Sequence, residues 1–274
     1  MSFRFHPRRL RRTAAVISMF AVAAAGAALT SASTEANPAK PTIVLVHGAF
    51  ADASGWGDVA SRLQEDGFTV YAPANPLRGV TADAAYLRSF LSTIEGPIVL
   101  VGHSYGGFVI TNAASGNPNV KALVYVAAYG PDEGDTIASL SERIPGGKVS
   151  PETLTIRPAP GGVPEGYIRT DLFRDIFAAD LPPKQAAVMA ASQRPASLAI
   201  LQEPSGPPAW KSIPSWYLVA GRDNTIGTEL ERFMARRMGA RTREVARSSH
   251  VLMMSHPEVT TRTILDAVAA TTED

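Results

Sequence analysis

Apolar residues come along this chain in short unbroken runs, and between the runs they recur at helical spacing. Residues 42–46 form one such run, too short for a helix, which ends at His47-Gly48. Similar runs lie at 69–72 (ended by Pro73), 98–101, 122–127, 216–220 and 242–246. Between them, helical periodicity covers 56–65, with Gly67 as a C-terminal stop, and 81–94, with Asp83 in the first turn. Further helices are predicted from Phe108 onward, over 228–238 and over 256–269. A strand apolar on both sides is buried on both faces. Strands of this kind alternating with helices imply an α/β fold, with a mostly parallel sheet of about six strands flanked by helices.

The rhythm fails between about 131 and 214, where Pro and Gly cluster at Pro145-Gly146-Gly147, Pro158-Ala159-Pro160-Gly161-Gly162 and Pro204-Ser205-Gly206-Pro207-Pro208. Helix-like pieces at 170–179 and 182–192 lie between them. So long an interruption between two strands predicts a helical cap inserted over the carboxyl edge of the sheet, where open α/β sheets bind ligands. The predicted organisation is a signal peptide at 1–33, a linker at 34–41, a core at 42–130 and 215–274, and a cap at 131–214.

Composition changes this picture mainly at the N-terminus. The 274 residues are 45% hydrophobic and 19% charged, with a formal charge of +1, in the range of a globular chain with a sizeable core. Residues 1–33 hold five arginines (Arg4, Arg8, Arg9, Arg11, Arg12) and no acid, which leaves 21 basic and 25 acidic residues beyond them, a net of −4. That balance argues against nucleic acid or an anionic membrane as partner. The arginines, the apolar stretch at 13–29 and the small residues at 30–34 have the order of a secretory signal, with the arginine pairs admitting a twin-arginine route. The apolar run is about the minimum needed to span a bilayer and rich in Ala and Gly, so removal is expected rather than a stable membrane anchor. The protein is expected to be secreted. There is no cysteine, which excludes disulfides, a thiolate nucleophile and cysteine-ligated metal. No metal site and no cofactor is predicted.

The chemistry is concentrated in Gly102-His103-Ser104-Tyr105-Gly106, a G-x-S-x-G pentapeptide between a predicted strand and a predicted helix. A serine on a sharp strand-to-helix turn presents its hydroxyl beyond the sheet edge, where a base can reach it, and glycines relieve the crowding of the turn. In this fold class the order is Ser, then Asp or Glu, then His. His250, in the loop after the run at 242–246, is the preferred base. His256, in Ser255-His256-Pro257-Glu258, reads as a helix start with Ser255 as N-cap and Glu258 as its capping-box partner. Asp223, three residues past the run at 216–220, is the preferred acid. Asp132 or Glu133 is the alternative, although Pro131-Asp132-Glu133-Gly134 is also a good turn sequence. An oxyanion needs two pre-aimed N–H donors. Tyr105, directly after the serine, supplies one, and the His47-Gly48-Ala49-Phe50 turn supplies the other through Ala49, with Phe50 second.

Together, His47-Gly48-Ala49-Phe50 with Trp56, the Gly102–Gly107 stretch, Asp223 and His250 resemble an α/β-hydrolase. Within that superfamily the chain is similar to small bacterial esterases and the plant methylesterase and hydroxynitrile-lyase-like branch, over roughly residues 42–270. Residues 125–134 and 204–210 also look like the bacterial members, while Gly221-Arg222-Asp223-Asn224 lacks the proline many relatives carry nearby. The resemblance implies a carboxylic ester hydrolase with a catalytic Ser104, Asp223 and His250, acting on a small or medium, fairly apolar ester. Tyr129, Phe173, Phe177, Met189 and Trp210 are candidate pocket residues, and the pattern leaves the oligomeric state open. A lyase on the same residues would want a lysine or threonine in the cap, where Lys148, Lys184 and Lys211 are the few lysines. A lactonase, or a binding protein that has kept only the fold, completes the alternatives.

Overall fold

A computed structural model describes residues 40–271; the predicted signal at 1–33 and most of the linker lie outside them. From Thr42 to Ala128 the chain runs β1 (Thr42–Val46), α1 (Gly57–Glu65), β2 (Val70–Tyr71), α2 (Val80–Leu91), β3 (Ile98–Ser104), α3 (Gly106–Ala113) and β4 (Val120–Ala128). It resumes this alternation with β8 (Ser215–Ala220), α7 (Thr228–Arg237), β9 (Arg241–Val245), a one-turn helix α8 (Leu252–Ser255) and α9 (Pro257–Thr271). The six strands form one sheet in the order β2-β1-β3-β4-β8-β9, every pairing parallel. All seven residues of β3 are buried, and each fully buried Val, Leu or Ile contributes roughly 1.5–3 kcal/mol relative to exposure. The central strands are therefore a rigid base. The edge strand β9 is different: its first four residues, Arg241 to Glu244, are exposed, and charged side chains on an edge discourage pairing with another chain. Of the flanking helices, α1 packs with α9 and α2 with α3.

The strand order locates the site. From β1 the chain steps outward to β2, then returns to β3 on the other side and continues in the opposite direction. The carboxyl ends of β1 and β3 flank that reversal, the position at which open α/β sheets bind ligands. Register pairs Val46 with Gly102, so His47-Gly48 emerges beside His103-Ser104.

Between β4 and β8 lie α4 (Ile137–Arg143), β5 (Leu154–Arg157), β6 (Glu165–Ile168), α5 (Phe173–Phe177), α6 (Pro183–Ser192) and β7 (Ala196–Ser197). The expectation of a purely helical insertion is corrected here. The strands β5, β6 and β7 form a second, antiparallel sheet. The Pro-Gly run at 158–162 is part of a hairpin connection, with Gly161 at φ 92° and Gly162 at φ 85°, a region open to glycine without strain. Strands of two to four residues carry too little alternation to register as a pattern. The α4 helix is short, its apolar face limited to Ile137 and Leu140 with Ile144 just beyond its end; Thr136 and Ser139 close a reciprocal capping box at its start.

Candidate active site

Ser104 is the last residue of β3 and has φ 54°, a conformation that costs a non-glycine residue about 1–3 kcal/mol. The turn is held by close backbone approach. A Cβ on Gly106 would lie 2.6 Å from the Val46 carbonyl oxygen, and one on Gly48 would lie 2.5 Å from the Ser104 Cβ. Neither position has room for a side chain, and through them the two turns lock together around the serine.

The β1 turn is braced by His47. Its Nδ1–H donates to the Gly48 carbonyl (2.9 Å), and its Nε2 accepts the Asn75 N–H (2.9 Å). The Asn75 amide in turn donates to the His47 carbonyl at 3.0 Å. This pairing fits the neutral imidazole, and burial lowers the His47 pKa. In the turn itself, Phe50 has φ 60°. Among the described residues, the backbone N–H groups of Ala49, Phe50 and Tyr105 donate to no protein acceptor, although all three residues are buried. Buried unpaired N–H groups are uncommon; here three belong to the two turns that meet at Ser104. The Tyr105 ring is fixed as well, its hydroxyl donating to Asp83 Oδ2 at 2.8 Å. Asp83 also accepts the Arg78 N–H at 3.1 Å. Sequence reading placed Asp83 in a helix but gave no sign of this contact.

Asp223 and His250 meet in the interior. His250 Nδ1–H donates to Asp223 Oδ2 at 2.6 Å, and both side chains are 0% exposed. Asp223 Oδ1 accepts the N–H groups of Thr225 (2.6 Å) and Ile226 (2.8 Å). Burial alone would raise the Asp223 pKa, but the charge and hydrogen bond of His250 outweigh it and bring the carboxyl down to about 2. The opposite ring nitrogen, His250 Nε2, is buried without a partner. Among the described residues no hydrogen bond joins it to Ser104 Oγ, and such bonds commonly tighten only when substrate binds. The link between the two loops is His103: its Nε2–H donates to the His250 carbonyl (3.0 Å), and the two imidazole rings are 4.6 Å apart. Burial, followed by the charge of His250, holds the His103 pKa well below its ordinary value.

Two contacts to the His250 loop come from the β4–β8 segment. Asp180 Oδ2 accepts the Ser249 N–H at 2.9 Å, and its Oδ1 accepts the Ser249 hydroxyl. Phe177 packs against His250 (ring centroids 4.9 Å) and His103 (6.2 Å), with Phe173 behind it at 5.1 Å. Phe173 and Phe177 are 0% exposed and so act as walls behind the imidazoles. Met189 lines a narrow cavity of about 40 Å³ with Phe50, Val251 and Met253. Tyr129, whose N–H donates to the Ser104 carbonyl at 3.1 Å, lines a larger, mainly apolar cavity of about 610 Å³ with Ile137, Leu154, Leu198, Leu201 and Thr225. Trp210 lies apart from both cavities, its indole N–H donating to the Pro131 carbonyl at 2.7 Å.

The alternative site residues are engaged elsewhere. Asp132 pairs with Lys211 at 2.6 Å, and its Oδ1 accepts the Glu133 N–H. His256 Nδ1 pairs with Ser255 Oγ at 2.9 Å. The expected capping box at Ser255 does not form: Ser255 closes α8, α9 begins only at Pro257, and Glu258 pairs with Arg62 at 2.6 Å. Among the described residues no group of three or more His, Cys, Asp or Glu could hold a metal ion, and no helix is long and apolar enough to cross a membrane.

The profile of the alpha/beta hydrolase family matches residues 43–263. A carbendazim hydrolyzing esterase of Nocardioides sp. (strain SG-4G) is 36% identical over 110 residues, which cover 35% of this chain and 46% of that protein. The chain thus spans less than half the length of that relative. Methylesterase 2 of Arabidopsis thaliana is 26% identical over 247 residues, 80% of this chain and 93% of the relative. Among solved structures, a pyrethroid hydrolase from Sphingobium faniae JZ-2 superposes with a TM-score of 0.70 at 23% identity, covering 85% of this chain and 99% of that one. At that identity the superposition speaks for the fold.

Proposed function

The chain belongs to the alpha/beta hydrolase family, and from that premise we propose that it hydrolyses carboxylic esters through Ser104, His250 and Asp223. The observation that carries this reading is the buried Asp223–His250 pair, whose outward nitrogen has no partner, in the loop joined through His103 to the strained Ser104. In this mechanism Ser104 Oγ attacks the ester carbonyl carbon while His250 Nε2 takes its proton. Asp223 keeps the other imidazole proton on Nδ1 and stabilises the cation that forms. The N–H groups of Ala49 and Tyr105, with Phe50 beside them, receive the negative oxygen of the tetrahedral intermediate. His250 then returns the proton to the leaving alcohol, and water releases the acyl group by the same steps.

The apolar side chains of Phe50, Met189, Val251 and Met253, which line the narrow cavity beside the His47–Phe50 turn and the His250 loop, support small to medium, fairly apolar esters as substrates. A lyase reading has less support, since Lys148 and Lys211 are spent in surface pairs with Asp175 and Asp132. The arginine-rich, then apolar, then small-residue order at 1–34 supports export, with 131–214 as a cap on the hydrolase core. The test is turnover of aryl esters of graded acyl length by the purified protein, together with labelling by a fluorophosphonate. Labelling of wild type and not of Ser104→Ala, with turnover falling as the acyl chain lengthens, is expected. Absence of both labelling and turnover would sink the reading.

A further inference from the structure

A second carboxyl lies against Asp223, and the proposed mechanism does not use it. Glu231 is the fourth residue of α7 and is 0% exposed. Its Oε2 accepts the N–H of Ala220, the last residue of β8, at 3.0 Å. Its Oε1 is buried, and no donor satisfies it. Asp223 is anchored at the same strand end, its N–H donating to the Ala220 carbonyl at 3.4 Å, so the two buried carboxyls are neighbours, and two carboxylates present only acceptors to each other. One of the pair must carry a proton for the contact to be favourable.

The surroundings decide which one. Asp223 is held as the anion by two backbone N–H groups and by His250. Glu231 has a single N–H. The other titratable groups bearing on it are Tyr217 of β8, Tyr129 after β4 and Glu244 of β9, and the nearby Arg232 is taken by Glu244 and Glu229. Burial, and after it the negative charge of Asp223, pushes the Glu231 carboxyl well above the ordinary carboxylate range. A proton on Oε1 turns an orphaned acceptor into a donor and resolves the contact.

We propose that Glu231 is a neutral positioning acid, whose Oε1–H donates to the Asp223 carboxylate and holds it in the orientation His250 requires. The role rests on the proposed Ser104-His250-Asp223 mechanism; the protonation state does not. Glu231→Gln keeps both bonds, since the amide can donate to Asp223 and accept from Ala220. Glu231→Leu keeps much of the volume and loses both.

Infrared spectroscopy decides the protonation state without any turnover. In wild type and in Ser104→Ala at neutral pH, a protonated-carboxyl C=O band that disappears on Glu231→Gln is expected; no such band would overturn the proposal. Kinetics decide the role. Glu231→Leu should lower kcat about ten- to a hundredfold with KM within about threefold, because orientation rather than binding is lost. Glu231→Gln should recover most of that loss and leave the acid limb of the kcat/KM profile within about 0.3 pH unit. An anionic Glu231 would instead give a shift of about one unit toward lower pH on the same substitution, and that result would overturn the proposal. So would an unaltered kcat in Glu231→Leu. Should Glu231→Leu fail to fold, the infrared band and the Glu231→Gln profile still decide. If Ser104→Ala kept full turnover, the mechanism would fall while the infrared result stood.

Discussion

Ser104 sits at φ 54° because Gly106 and Gly48 let three segments of backbone close around it. Its removal should be chemically severe and structurally mild. Ser104→Ala is expected to lose roughly 10⁴- to 10⁶-fold in kcat while its thermal unfolding stays near that of wild type; turnover within tenfold of wild type would refute the assignment. Ser104→Gly, which relieves the backbone, is expected to be more stable than Ser104→Ala by about 1 kcal/mol. His250→Ala should match Ser104→Ala, since the base is gone. Asp223→Asn should be less damaging, by loss of the tautomer constraint at about 10⁴-fold. His256, paired with Ser255, should be almost silent: His256→Ala is expected to keep wild-type kcat, and an inactive variant would put the base in the wrong loop.

At the scale of elements, the β1 turn and the Asp180 contact determine whether those residues meet correctly. A methyl added at Gly48 would lie 2.5 Å from the Ser104 Cβ and 2.9 Å from the His103 carbonyl oxygen. Gly48→Ala should therefore cost more activity than stability, by at least about a hundredfold in kcat, the scale of a lost oxyanion donor. Equal losses in both, read from kinetics and urea melts together, would make the glycine merely structural. Asp180 ties the β4–β8 segment to the His250 loop through Ser249. Asp180→Ala is expected to lower kcat about tenfold with little change in KM, because a loosened base misplaces the proton transfer. An unchanged kcat would show that the loop holds itself.

Across the whole molecule, buried titrating groups set how stability responds to pH. His47 and His103 have folded pKa values below their ordinary 6.5. Their contribution is present above 6.5 and is lost as pH falls toward the lowered values, since the unfolded chain binds the proton first. Glu231 has the opposite sign: raised above 4.5, it stabilises below 4.5, and that contribution is lost as pH rises toward its folded value. Asp223, lowered from 3.8 to about 2, matters only in strong acid. Stability by urea melts should therefore fall between about pH 7 and pH 5 to the extent that the histidines outweigh Glu231. His103→Gln, which removes one histidine from the balance, should fall less steeply than wild type over that range. Parallel curves would show that His103 does not titrate there. For the chain as synthesised, export should leave a mature N-terminus near residues 33–37, which N-terminal sequencing of secreted material checks; an intact Met1 in a membrane fraction would indicate an anchor.

The parallel sheet could be read from the sequence because a strand segment buried on both faces must be apolar, and residues 43–46, 98–101, 122–127 and 216–220 are. Ser104 could be nominated because a strand, a glycine turn and a helix within a dozen residues form a local signal. Asp223 and His250 followed from their places after two later strands, and the structure brings their side chains to 2.6 Å. Contacts made across the fold left no such trace. Asp180 meets Ser249 across 69 positions, Tyr105 meets Asp83 across 22, and Trp210 turns to Pro131 across 79. The antiparallel sheet between β4 and β8 was hidden because its strands are too short to show a period, and its hairpin connection reads as loop. Periodicity records which side of an element meets the interior. Which buried carboxyl then carries a proton, and which side chains close around Ser104, depend on distances that exist only once the chain has folded.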